Sequence, residues 1–65
     1  MERAVRHMLA IMDGTFESMF RDCLWFTLND RRYVINASTF IAVLWGHKHK
    51  SRQELCDLIN KCYRP

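Results

Sequence analysis

The shortness of this chain limits what it can fold into more than any motif does. All 65 residues fit one small domain, and a domain of this size buries only about 60% of the surface that its unfolded chain exposes. Such a domain usually needs a disulfide, a metal or a partner subunit for stability. Its 3 cysteines are an odd number, and no secretory signal segment precedes them, so we expect reduced thiols and a cytoplasmic protein. We therefore expect a homodimer to supply the missing stability.

Apolar residues at helical spacing run through the first third of the chain. They are separated alternately by four and three residues, which is the spacing of one helix face. The residues are Val5, Leu9, Met12, Phe16, Met19 and Cys23. This stripe predicts one long amphipathic helix over residues 2–22. Its heptad-like spacing predicts a dimer interface, formed by Val5, Leu9, Met12, Phe16 and Met19. The alternative is an ordinary core face, which is the more common role of such a stripe. Because Gly14 costs about 1 kcal/mol inside a helix relative to alanine, two helices broken at Asp13-Gly14 remain an alternative.

The next segment, residues 23–36, has the composition of a β-hairpin. Two runs rich in aromatic and β-branched residues flank Asn29-Asp30, and both turn residues tolerate the positive φ angles of a tight turn. The expected register places Leu28 opposite Arg31, Phe26 opposite Tyr33 and Leu24 opposite Ile35. A helical interpretation of the same segment stays open, and it would make the protein an all-α four-helix bundle.

Helical patterns return after the hairpin. Asn36 or Ser38 can cap a helix that ends at Gly46. Ser51 and Glu54 form a capping box that begins the last helix. The apolar face of that helix, which ends before Pro65, consists of Leu55, Leu58, Ile59 and Cys62. The predicted fold class is therefore α+β, with a long N-terminal helix, a β-hairpin and a C-terminal helical hairpin.

Positive charge is concentrated in the second half of the chain. Residues 1–30 carry 3 arginines against 5 carboxylates, a net charge of −2, whereas residues 31–65 carry 7 lysines and arginines against 2 carboxylates, a net charge of +5. The run "HKHKSR" connects the last two predicted helices, and free backbone donors at a helix N-terminus attract anions. We expect a nucleic-acid site on this connector and the hairpin tip, formed by Arg31, Arg32, His47, Lys48, His49, Lys50 and Arg52.

No pattern in the chain indicates catalysis or a metal site. A glycine-rich phosphate loop, a paired-carboxylate site and a nucleophile elbow are all missing. Cys56 and Cys62 would face different sides of a helix, which speaks against a zinc site shared with His47 or His49. The longest apolar run is far short of the roughly 20 residues that span a membrane. We expect a non-enzymatic protein with no metal, no cofactor and no membrane segment.

Two classes of function fit this pattern. The first is a small basic regulatory protein that binds nucleic acid as a dimer. The second is an accessory or inhibitory protein, of the kind that viruses and plasmids encode, which docks on a larger protein. Trp25 and Trp45 distinguish the two classes, because a tryptophan exposed in an apolar patch is typical of a protein–protein interface. Burial of both would remove the anchor residues of the docking function.

Overall fold

The computed structural model describes residues 1–62 as three helices and a three-stranded sheet. In chain order the elements are α1 (Glu2–Ile11), β1 (Thr15–Phe20), β2 (Cys23–Leu28), β3 (Arg31–Asn36), α2 (Ala37–Leu44), a 3₁₀ turn (Trp45–His47) and α3 (Arg52–Cys62). The strands form an antiparallel sheet in the order β1-β2-β3. The fold class α+β is confirmed. Arg64, counted above among the cations, and Pro65, expected to follow the last helix, lie outside the described residues.

The prediction of one long N-terminal helix is confirmed for its first half and wrong for its second half. α1 contains only 10 residues, and the chain then turns at Asp13, whose φ is 62°. Phe16 and Met19 therefore lie on a strand, so the alternative of two helices is wrong as well. A bulge between Phe16 and Ser18 adds a residue to β1. Because of the added residue, the inward-facing side chains of Phe16 and Met19 are three positions apart in sequence. The same spacing occurs on one face of a helix.

The hairpin of residues 23–36 forms in the predicted register. Phe26 pairs with Tyr33 and Leu28 with Arg31. At the tip, Asn29 and Asp30 have φ angles of 53° and 65°, which are the two positive values that a type I′ turn requires. The all-α bundle is therefore wrong.

Both predicted helix caps form. The Thr39 backbone N–H donates to the Asn36 side chain over 3.0 Å at the start of α2. At the start of α3, the Glu54 backbone N–H donates to the Ser51 hydroxyl over 3.2 Å, and the Glu54 carboxylate accepts from Ser51 in return. The prediction that α2 ends at Gly46 is wrong, because Gly46 lies inside the 3₁₀ turn and does not adopt a positive φ.

The three helices pack on one face of the sheet and share one core with it. Phe26 lies at the centre of this core: its ring stacks on Tyr33 with 5.1 Å between centroids and meets Phe40 edge-on at 5.3 Å. The Tyr33 hydroxyl donates to the Asn60 side chain of α3 over 2.7 Å. This bond ties α3 to β3 and gives the buried tyrosine a partner for its polar end.

The residues predicted to form a dimer interface belong to this core. Val5, Leu9 and Met12 are fully buried, and Phe16 and Met19 pack against the core as half-buried side chains. The predicted surface seam is therefore wrong, because the side chains that would form it are already covered by their own chain. Dimerisation itself stays a prediction.

The three cysteines are free, and their burial differs from the prediction. Cys62 was expected in the core but is exposed, as is Cys23, whereas Cys56 is buried. The reason is the orientation of α3, whose buried side is formed by Leu55, Cys56 and Ile59. The thiol of Cys62, in the last turn of α3, is therefore exposed to solvent.

Gly14 marks a close approach between the α1–β1 turn and β2. A Cβ atom at position 14 would lie 3.1 Å from the Leu9 side chain and 3.2 Å from the Thr27 carbonyl oxygen. Both neighbours are held by the core or the sheet, so we expect Gly14→Ala to lower the free energy of unfolding by about 1 kcal/mol through overpacking. Urea denaturation followed by tryptophan fluorescence measures this loss.

Gly46→Ala is the matched control. A Cβ atom at position 46 meets nothing within 4 Å, and alanine favours helical backbone over glycine by about 1 kcal/mol. The control should therefore keep the wild-type free energy of unfolding or raise it slightly. An equal loss in both variants would contradict the close approach at Gly14.

Candidate nucleic-acid interface

The predicted basic connector is short and folded. His47 closes the 3₁₀ turn, and the Lys50 backbone N–H donates to the His47 carbonyl over 2.9 Å. Lys48 and His49 are exposed, whereas His47 and Lys50 are half-buried. The basic side chains of this run therefore meet different neighbours and do not form one uniform patch.

Three of the predicted phosphate-binding cations have carboxylate partners. The distances are 3.1 Å for Arg52–Asp13, 3.9 Å for Lys50–Glu54 and 2.8 Å for Arg32–Glu17. Ion pairs at a protein surface contribute about 0–1 kcal/mol each, so phosphate can replace these carboxylates at small cost. In the unbound protein, however, each pair lowers the positive potential that would attract a polyanion.

The N-terminus of α3 already holds a carboxylate of its own chain. The Glu54 carboxylate lies 3.2 Å from the Ser51 backbone nitrogen and 3.0 Å from its hydroxyl. These hydrogen bonds, followed by the Lys50 charge, hold the pKa of Glu54 below its ordinary value. A phosphate at this helix end would meet a negative charge. The capping box therefore speaks against the prediction that the α3 N-terminus binds phosphate.

A different basic cluster surrounds Trp45, beside the start of α1. The Lys48 ammonium lies 4.2 Å from the centroid of the Trp45 ring, and the His7 ring centroid lies 6.1 Å from it. Trp45 is 39% exposed. It borders a groove of about 480 Å³, here called the Trp45 groove, whose lining residues are Met1, Arg3, Ala4, His7 and Trp45. Within residues 1–62, no carboxylate forms an ion pair with Arg3 or Lys48.

Arg3 and His7 were not included in the predicted interface, although their spacing in the sequence indicates that they are neighbours. They are four residues apart, and such residues are neighbours on one helix face; both are exposed on α1. Their position beside Trp45 depends on the packing of α1 against α2. That packing joins segments distant in sequence, which the local pattern does not describe.

The outer face of the sheet is open, and half of it is apolar. Trp25 lies in the central strand, between Ser18 of β1 and Val34 of β3. Phe20, Trp25 and Val34 are 70%, 39% and 48% exposed, and these three side chains are here called the open-face patch. Neither tryptophan is buried. Trp25 lies in an apolar patch, whereas the groove beside Trp45 combines the cationic side chain of Arg3 and the imidazole of His7 with the exposed apolar side chain of Met1.

A polar network covers the other half of the outer face. The Glu17 carboxylate on β1 accepts hydrogen bonds from Thr27 on β2 and from Arg32 on β3. The bond from Arg32 and then that from Thr27 lower the pKa of Glu17, and Glu17 raises the pKa of Arg32. Arg32 is therefore held on the sheet, while its neighbour Arg31 is exposed and has no ion pair among the described residues.

Neither a metal cluster nor a membrane-spanning helix occurs in the described part of the chain. No three His, Cys, Asp or Glu side chains lie together there as metal ligands, and no helix of residues 1–62 is long and apolar enough to cross a bilayer. No protein-family model, curated protein or solved structure matches the chain.

The Glu17 network makes part of the stability depend on pH. Because the pKa of Glu17 is lowered by folding, the network stabilises the fold fully above the ordinary glutamate pKa of about 4.3, and this contribution is lost as the pH falls through the lower folded value. We expect Glu17→Gln to lower the free energy of unfolding more at pH 7 than at pH 3. Urea denaturation at the two pH values measures the difference.

Asp30→Asn, at the exposed hairpin tip, is the control for this comparison. Asparagine also tolerates the positive φ of position 30, so this variant should change the free energy of unfolding by less than about 0.5 kcal/mol at either pH. If Glu17→Gln has the same effect at pH 7 and at pH 3, the carboxylate is not held by Arg32 and Thr27 as described.

Proposed function

We propose that this protein is a small non-enzymatic regulatory protein that binds nucleic acid, with its interface centred on the Trp45 groove. One observation carries the proposal: an exposed tryptophan lies among the basic side chains of Arg3, His7 and Lys48. Arg3 and Lys48 form no ion pair within residues 1–62. Cations that neutralise phosphate and aromatic rings that stack on bases are the two components of many nucleic-acid interfaces.

The connector residues have unequal roles in this proposal. Lys48 lies on Trp45 itself, so it belongs to the centre of the interface. His49 is exposed next to it. Lys50 and Arg52 contribute only when phosphate replaces Glu54 and Asp13 as their partners, an exchange between weak surface contacts.

The hairpin tip extends the interface for a longer ligand. Arg52 of α3 contacts Asp13, and the next residue, Gly14, packs against Thr27 near the end of β2. The start of α3 therefore lies at the same end of the sheet as the hairpin tip, where Arg31 is exposed. A strand that leaves the Trp45 groove along the connector would reach Arg52 and then Arg31.

Removing Arg3 and Lys48, the two cations beside Trp45 that form no ion pair within residues 1–62, tests the proposal. Arg3→Gln/Lys48→Gln should weaken binding of short labelled oligonucleotides and flatten its salt dependence, by a slope of about 0.7 per lost contact on a single strand or 0.9 on a duplex. Fluorescence anisotropy over a series of salt concentrations measures both quantities.

Arg21→Gln/Lys61→Gln is the charge-matched control. It removes the same two charges, from the β1–β2 turn and from the end of α3, where neither side chain forms an ion pair among the described residues. Its affinity and salt slope should stay closer to those of the wild type. Wild-type binding no tighter than about 100 μM at low salt, the weak end of non-specific affinity, would contradict the proposal.

The open-face patch favours a second function, docking on a larger protein as an accessory or inhibitory factor. Its three exposed apolar side chains lie on one face of the sheet, and the Arg21 guanidinium lies 5.3 Å from the Phe20 ring centroid. Exposed tryptophan and arginine are enriched among the residues that dominate protein interfaces. Arg21 forms no ion pair within residues 1–62, so we propose a partner with an apolar surface and a carboxylate placed to meet Arg21.

Photocrosslinking tests the docking function. A photoreactive residue in place of Val34 should link to one protein in a nuclease-treated lysate of the source organism, and the link should be lost when Phe20→Ser/Trp25→Ser removes the rest of the patch. The same photoreactive residue in place of Lys61, exposed on α3, is the control. Identical products from both positions would contradict docking through the open-face patch.

A further inference from the structure

We infer that the Trp45 groove binds single-stranded nucleic acid, with one unpaired base stacked on the Trp45 indole and its phosphates on Arg3 and Lys48. This inference rests on the nucleic-acid binding proposed above and specifies its ligand. Three features support it. The Lys48 contact on the Trp45 ring can be replaced, the groove leaves room for a base, and Trp25 has different neighbours.

The indole of Trp45 is held by a contact that a base can replace. Lys48 covers one face of the ring at 4.2 Å, and both side chains are exposed. A cation–π contact at an exposed site is weaker than the stacking of a base on an aromatic ring. The lysine stem is long and flexible. A base can therefore take the place of the ammonium group over the indole. Lys48, which contacts Trp45 but does not line the groove, is then free to meet the phosphate attached to that base.

The groove has the size and the walls for one nucleotide. It is an open surface groove with a volume of about 480 Å³, which leaves room for a base. His7 forms an aromatic wall inclined by 58° to the indole, and Arg3 lies one helical turn away on α1. Bases inside a duplex are paired and stacked, so they reach such a groove only after costly extrusion. An unpaired base reaches it directly.

Trp25 lacks these surroundings although it is equally exposed, at 39%. Its neighbours across the strands are Ser18 and Val34, and the nearby guanidinium of Arg32 is bound to Glu17 at 2.8 Å. Among the described residues no cation lies over the Trp25 ring, and the unpaired Arg21 of this face lies over Phe20 instead. Trp25 is therefore an internal control for Trp45.

Single-tryptophan proteins test the inference. Trp25→Phe leaves Trp45 as the fluorescent reporter, and Trp45→Phe leaves Trp25. Each is titrated with a single-stranded oligonucleotide, the duplex of the same sequence and a mononucleotide. We expect the single strand to quench Trp45 but not Trp25, and to bind at least about tenfold more tightly than the duplex or the mononucleotide, because only the strand supplies a free base together with neighbouring phosphates.

Substitutions of Trp45 test the stacking itself. Trp45→Leu keeps apolar bulk but removes the ring, and should weaken single-strand binding by about 5- to 150-fold, the loss expected for one stacked base. Trp45→Phe keeps a ring and should retain most of the affinity. Circular dichroism confirms that each variant is folded. Trp25→Leu is the control and should bind as the wild type does.

The outcomes separate this inference from the proposed function. Equal binding of single strand and duplex, with unchanged Trp45 emission, would overturn the single-strand inference and leave nucleic-acid binding standing. Binding of the mononucleotide as tightly as the strand would assign the groove to free nucleotides and also overturn the inference. If neither oligonucleotide binds, both the inference and the proposed function are wrong.

Discussion

The three-stranded sheet is covered on one face only, and the exposed features of the molecule follow from this. α1, α2 and α3 all contribute to the single core built on the inner face around Phe26. Residues 1–62 contain no further helix or strand for the outer face. Phe20, Trp25 and Val34 therefore stay in solvent, and the hydrogen bonds of Glu17 join the three strands across the polar half of that face.

The same small size explains why the second tryptophan is exposed. α2 has only 8 residues, and the 3₁₀ turn that follows it carries Trp45 to the edge of α1, beside His7. No other element of the described chain covers this edge. Both tryptophans thus lie at the margins of a core that is too small to enclose them, and their neighbours decide what each can bind.

The sequence predicts the local elements of this fold well, because their signals lie within a few residues. Asn29-Asp30 predicts the hairpin tip, and Ser51 with Glu54 predicts the start of α3. β1 is missed because its bulge next to Phe16 gives a strand the apolar spacing of a helix. The pair Asp13-Gly14 was the one visible sign that the helix ends there.

The candidate site is predicted only in part, for a similar reason. The composition reveals where the cations are concentrated but not which carboxylates neutralise them: Arg52 and Asp13 are 39 positions apart. The Trp45 groove likewise joins two segments far apart in sequence, the start of α1 and the 3₁₀ turn, since α1 must pack on α2 before Arg3 and His7 approach Trp45. Interactions of this range depend on tertiary structure, which local sequence patterns do not describe.

Backbone amide chemical shifts of ¹⁵N-labelled protein, followed while a single-stranded oligonucleotide is added, test most directly where this protein binds its ligand. We predict that the largest changes occur in residues 3–7 and 45–49, which line and border the Trp45 groove, with smaller changes near Arg31 and Arg52. The amides of Trp25 and Val34 should move little. Largest changes along the open face of the sheet, or no changes at saturating oligonucleotide, would contradict this prediction.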